Sequence, residues 1–176
     1  FSWGLEPTGF EMDVYVPAGS EESYRKRNIR VRTLSIPLSQ FDGYQWCDLF
    51  GIEAVSPVGV LIVRVIESLR ENNTFFSFEN VLDAIIEDER SDIISRSAAD
   101  NYFRTAMSWG VFAEKGDTSE IVKGGSLSVI DVSTIKNEAV RSAVVGFISM
   151  DIYHKRLEAR RSHERILMGE DVTEKG

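Results

Sequence analysis

A chain of 176 residues that is 43% hydrophobic and 10% aromatic has the length and apolar content to build one packed core, which excludes a disordered chain. Its formal charge of −8 argues against a free-standing nucleic-acid domain, because such domains carry an excess of Lys and Arg. A single cysteine, Cys47, leaves no intramolecular disulfide or Cys-based zinc site; with no apolar run near the roughly 18 residues of a bilayer span and no signal-like leader, the expected setting is cytoplasmic.

The chain opens on FSWGL, with Phe rather than Met at position 1, and reads as a piece taken from a larger protein. Phe10, Met12, Val14 and Val16 alternate with Glu11, Asp13 and Tyr15, the period of a half-buried strand, and Pro17 ends it. A second strand over 29–36 is expected to pair with the first as a hairpin. It carries Ile29 and Val31 on one face and Leu34 and Ile36 on the other, which places a bulge or a change of partner near Arg32 and Thr33. The connector, AGSEESYRKRN, is polar and expected to be exposed. Residues 1–42 make up this first unit.

Residues 43–112 read as helical. Cys47 falls on a short helix after Gly43 as a small apolar residue rather than a reactive thiol, since no basic residue or His lies nearby in sequence. Ser56 and Pro57 are an N-cap and a first-turn proline, and 58–69 is apolar on nearly every side apart from Arg64, Glu67 and Ser68. That pattern predicts a central helix, in which Gly59 lets another backbone approach closely. Ser77 caps the next helix, where Phe78, Val81, Leu82, Ile85 and Ile86 recur at helical spacing and Phe76 can staple onto Val81. A third helix carries Ala99, Tyr102, Phe103, Ala106 and Met107, and Gly110 stops it. The acidic run Glu87, Asp88, Glu89 and Asp92 reads as a solvated loop, not as paired catalytic carboxylates.

Residues 113–176 begin with a turn, GDTSE from Gly116. Leu127, Val129, Ile130 and Val132 then form the near-continuous apolar run of a parallel strand covered on both faces, with Asp131 at its carboxyl end. Ser133 and Thr134 offer hydroxyl caps to a long helix over 136–165. Its Ala139, Val140, Ala143, Val144, Val145, Phe147, Ile148, Ile152 and Tyr153 surround the axis, so its first four turns are expected to be buried. Lys155, Arg156, Arg160, Arg161 and Arg165 make its last turns solvated, and a polar GEDVTEKG closes the chain.

The residue types of an active site do not converge in sequence. Neither GxxxxGK followed by Ser or Thr nor GxGxxG occurs, so no phosphate-cradling loop lies in this chain and ATP binding by it alone is not expected. His154 and His163 are nine apart, the wrong spacing for a metal-binding pair on one helix face. No catalytic, cofactor-binding or metal-ligating residue is therefore assigned. Two basic clusters remain. Arg25, Lys26, Arg27, Arg30 and Arg32 fall within residues 25–32 and are the candidate nucleic-acid contacts, set against a plainer role as a charged edge that discourages strand aggregation. The arginines closing the long helix suit the negative end of its dipole.

The segments IRVRTLSIPLSQFDGYQWCDLFGI, SPVGVLIVRVIESL, FENVLDAIIED and GGSLSVIDVSTIKNEAVRSAVVGFI resemble the stretch between the Walker A and Walker B motifs of HerA-like P-loop ATPases, in the FtsK–HerA superfamily. The resemblance spans nearly the whole chain and is most specific at GGSLSVIDVSTIKNEAVRSAVV. It implies an α/β fold, a fragment of a RecA-like P-loop ATPase core carrying a helical insertion at 43–112, with 113–176 supplying a core strand and a long helix. It further implies a parent protein that binds ATP and Mg and assembles as a hexameric ring. Such a ring moves duplex DNA in repair or end processing, in archaea commonly with a NurA-like nuclease. The family's nucleotide-binding Lys, catalytic Glu and arginine finger have no matching positions here.

The runner-up is a winged-helix module for regulation or protein interaction, since three helices ending in WGVF lead into a glycine-containing turn and a strand. Residues 43–112 hold five basic and eleven acidic side chains, a net of −6. A major-groove reader is basic on its recognition helix, so a protein-facing role is expected for this region.

Overall fold

The computed structural model of the protein describes residues 12–27, 29–116, 121 and 126–168. Phe10, Glu11, most of the GDTSE turn and the GEDVTEKG end fall outside the described residues. Strand β1 (Met12–Val16) leads through a short helix α1 (Glu21–Arg25) to β2 (Val31–Thr33) and β3 (Ile36–Pro37). Four helices follow: α2 (Gly43–Phe50), α3 (Pro57–Asn72), α4 (Phe78–Glu87) and α5 (Ile93–Met107). The chain then forms β4 (Phe112–Ala113), β5 (Leu127–Ile130) and the long α6 (Glu138–Leu167).

The sheet order is β2-β1-β5 and both pairings are parallel, with Val14 opposite Val31 on one side and Val129 on the other. The hairpin expected for the first unit is thus corrected: β1 and β2 run the same way, and the polar connector supplies the crossover. Acidic Glu21 and Glu22 open α1 and Arg25 closes it, the order the helix dipole favours. Parallel register also puts Arg30 and Arg32 beside Asp13, at 3.0 and 3.4 Å. The second strand changes partner where its alternation breaks. The Leu34 N–H donates to Val16, whereas the Ile36 N–H donates to Val111 as β3 pairs in parallel with β4. A winged helix ends in an antiparallel hairpin; here β4, which begins at the Phe of WGVF, pairs in parallel with β3, and β5 pairs in parallel with β1, so the described residues show no such hairpin.

Local signals place the helices. Asp42 and Gln45 form a reciprocal capping box on α2, and Gly51 ends it at φ +67°. Ser56 caps α3 ahead of Pro57, and Ser77 with Asn80 boxes the start of α4. Gly59 is required: a Cβ there would stand 2.3 Å from the Glu53 carbonyl oxygen. Gly43 is required too, with a Cβ 2.5 Å from the Val63 Cα, so α2 docks on α3 backbone to backbone. Helix α3 packs against α2, α4 and α5, the central position its composition predicts. Trp46 anchors the core against Phe112 and Phe103, with ring centroids 4.9 and 5.2 Å away. Cys47 is buried beside them and burial raises its thiol pKa, which keeps it inert.

Four expectations are corrected by the structure. Ile86 is 59% exposed while Phe78, Val81, Leu82 and Ile85 are buried, because one residue turns a helix by about 100° and only one face of α4 meets its neighbours. Strand β5 is not covered on both faces: Leu127 and Val129 are 49% and 37% exposed, and Ile130 and Val132 carry its contact with the core. Helix α6 starts at Glu138 under an Asn137 cap, not under Ser133 or Thr134. It buries a single stripe, Val140, Val144 and Ile148, since α2 is the element packed along it. Val145, Ile152 and Tyr153 are exposed.

The acidic run is also more than a solvated loop. Asp92 caps α5, and Asp88, its side chain 7% exposed, pairs with Arg64 of α3. Burial opposes charging of Asp88, but hydrogen bonds from Arg64 and from the Arg90 and Ser91 backbone outweigh it and hold the carboxyl below the usual carboxylate range. A depressed native pKa contributes stability that is complete above the unfolded value of about 3.9 and lost as pH falls through the native value. Stability should therefore drop below about pH 4, and Asp88→Asn should flatten that acid limb in urea unfolding curves. Arg64→Ala, which strands the carboxylate, should cost about 1.5–3 kcal/mol at neutral pH.

Candidate nucleic-acid interface

Parallel strands deliver their carboxyl ends to one rim, where the following loops are free to meet a ligand. Here that rim gathers residues distant in sequence. The Tyr24 hydroxyl of α1 donates to the Asp131 carboxylate just past β5, whose other oxygen accepts from the Ser133 N–H at 2.8 Å. Ser20, after β1, donates to Thr134 over 3.4 Å. Glu21 accepts from the Thr33 hydroxyl and the Gly19 N–H, both at 2.8 Å. Hydrogen bonds from Ser133 and Tyr24 hold Asp131 below the usual carboxylate range, and the same bond raises the Tyr24 phenol. These bonds fasten α1, a helix of one turn and a half with no buried residue, to the ends of all three strands.

The five candidate cations separate into two sets. Arg25 ends α1, and Lys26 and Arg27 follow it, all exposed. Lys26 reaches the Glu22 carboxylate at 3.0 Å. Lys26 and Arg27 line a surface cleft of about 520 Å³ together with Ser20, Glu22 and Thr134. Arg30 and Arg32 instead flank the nearly buried Asp13, toward the amino end of β1, and part of their charge is neutralised there. On α6, Lys155 pairs with Asp151 and Arg160 with Glu164. Among the described residues no group of three or more His, Cys, Asp and Glu is placed to hold a metal ion, and no helix is long and apolar enough to cross a membrane.

Ser20, Glu22, Tyr24 and Thr134 were not legible as members of one site. Ser133 and Thr134 carry the signature of helix caps, and the contacts to Tyr24 and Ser20 span 107 and 114 residues. The one available signal was Asp131, a carboxylate closing an apolar strand.

A parallel sheet with a crossover helix, polar groups collected at the strand carboxyl ends and a unit of four helices between β3 and β4 define an α/β architecture, consistent with a fragment of a RecA-like P-loop core. Residues 11–152 match the family model described as helicase HerA, central domain, and the chain belongs to that family of P-loop ATPases within the FtsK–HerA superfamily. No curated protein and no solved structure matches it.

Proposed function

We propose that this chain works within an ATP-driven, HerA-like DNA translocase that assembles as a hexameric ring and acts in DNA repair or end processing, with a NurA-like nuclease as a partner. The match to the HerA central domain over residues 11–152 carries the reading. ATP and Mg are the cofactors this reading assigns to the parent protein; the pattern GxxxxGK followed by Ser or Thr does not occur in this sequence. The chain contributes sheet, subunit surface and DNA-facing cations. The acidic helical unit, 43–112, faces protein, since a surface with a net of −6 repels a phosphate backbone.

Replacing Arg25, Lys26 and Arg27 together by Ala tests the DNA role. Duplex affinity should fall without sequence preference, and the slope of log affinity against log salt should flatten by up to about three, one for each phosphate that is no longer neutralised. An unchanged slope would leave these residues as an edge-protecting charge only.

A further inference from the structure

We propose that the cleft beside α1 is a phosphate site that holds one phosphodiester group of a nucleic-acid strand, an assignment that rests on the DNA-binding reading above and deepens it to named groups. Lys26 and Arg27 supply the counter-charges, and the Ser20 and Thr134 hydroxyls supply neutral donors. These four residues come from the loop after β1, the end of α1 and the loop after β5, and they converge on one opening of about 520 Å³. Charged and hydroxyl donors around one opening are the set that nucleic-acid phosphates accept from.

The occupancy of each group supports this. The Ser20 and Thr134 oxygens stand 3.4 Å apart, at the weak limit of a hydrogen bond, so both hydroxyls can turn to a better acceptor. Glu22, the carboxylate in the cleft lining, already sits on Lys26 at 3.0 Å, with both side chains more than 70% exposed. An exposed pair of this kind is weak, so a phosphate oxygen can take the place of the Glu22 oxygen. The Asp131 oxygens are engaged away from the cations, one accepting from Tyr24 and the other from Ser133. The cleft lies at the surface and, among the described residues, none lining it is aromatic. It therefore has no platform on which to stack a base and suits a backbone passing across it, without sequence preference.

Binding of a labelled DNA duplex to the full chain, titrated with salt, separates the two kinds of donor. Lys26→Gln with Arg27→Gln should lower the salt slope by about two. Ser20→Ala with Thr134→Val should weaken binding about tenfold at unchanged slope, because no charge is removed. Glu22→Gln should tighten binding about threefold by releasing Lys26. The charge-matched control Arg156→Gln with Arg161→Gln, on α6, should weaken binding less than the cleft pair does.

Wild-type affinity retained by the hydroxyl variant, or equal effects from the cleft and α6 pairs, would overturn the site while leaving the DNA role standing. Absence of duplex binding by the wild-type chain would overturn both. Calorimetry with ATP separates a nucleotide's phosphate from a nucleic acid's: ATP binding that the hydroxyl variant abolishes while duplex binding is unchanged would overturn the assignment.

Discussion

Ile85→Asp should unfold the helical unit. Ile85 is fully buried on α4, within the cluster that joins α3, α4 and α5. The substitution removes packing worth about 2–5 kcal/mol and inserts a carboxylate with no partner, a further cost of several kcal/mol unless the group takes up a proton. The sum approaches the whole stability of a domain, about 5–15 kcal/mol. Ile86→Asp, one residue along on the exposed face, should change stability by no more than about 0.5 kcal/mol. Urea unfolding of the two variants side by side checks the result: equal destabilisation would mean that Ile86 is covered, and none at Ile85 would mean that α4 does not pack as described.

Trp46→Ala is the second large effect, expected to cost about 3–5 kcal/mol with loss of the near-ultraviolet signal of a packed indole. The Trp46 ring lies within 6.0 Å, centroid to centroid, of Phe41, Phe50, Phe103 and Phe112. Among the described residues its indole N–H is buried without a hydrogen-bond partner. Trp46→Phe deletes that orphan donor along with part of the ring, so the two changes offset and the cost should stay below about 2 kcal/mol. The position also links helical unit to sheet. Phe112 belongs to β4, which pairs with β3, and Leu34 just before β3 donates to Val16 of β1. An Ala at 46 should accordingly loosen the strand that ends in Val16 as well as the helices, seen as faster amide exchange at Val16 and Leu34.

The helices were readable because their signals are local. Ser56 with Pro57 and Ser77 followed by an apolar stripe mark helix starts within four residues, and Gly59 announced a close approach that the Glu53 carbonyl now fills. Strand existence was readable in the same way, from alternation in 12–16 and from the apolar run that became β5. The parts that misled were those where one local pattern serves two structures. Two strands joined by a polar connector fit a hairpin or a short crossover equally well, and Ser133 with Thr134 resemble caps whether or not a helix begins beside them. The apolar girth of α6 says that much of it is suited to burial; which side is covered depends on α2 lying along one stripe.

Composition, capping and periodicity by themselves established an α/β chain with a helical middle and a small apolar Cys47 on the first helix of that middle, because each of these depends on neighbours within a few positions. Tertiary structure alone decided the direction of β2, the division of four of the cations between Asp13 (Arg30, Arg32) and an open cleft (Lys26, Arg27), the pairing of Asp88 with Arg64, and the meeting of Ser20 with Thr134. Those outcomes turn on ion pairs and hydrogen bonds between groups up to 114 residues apart. Their strength falls off over a few ångströms, and the distance that sets them exists only once the chain has folded.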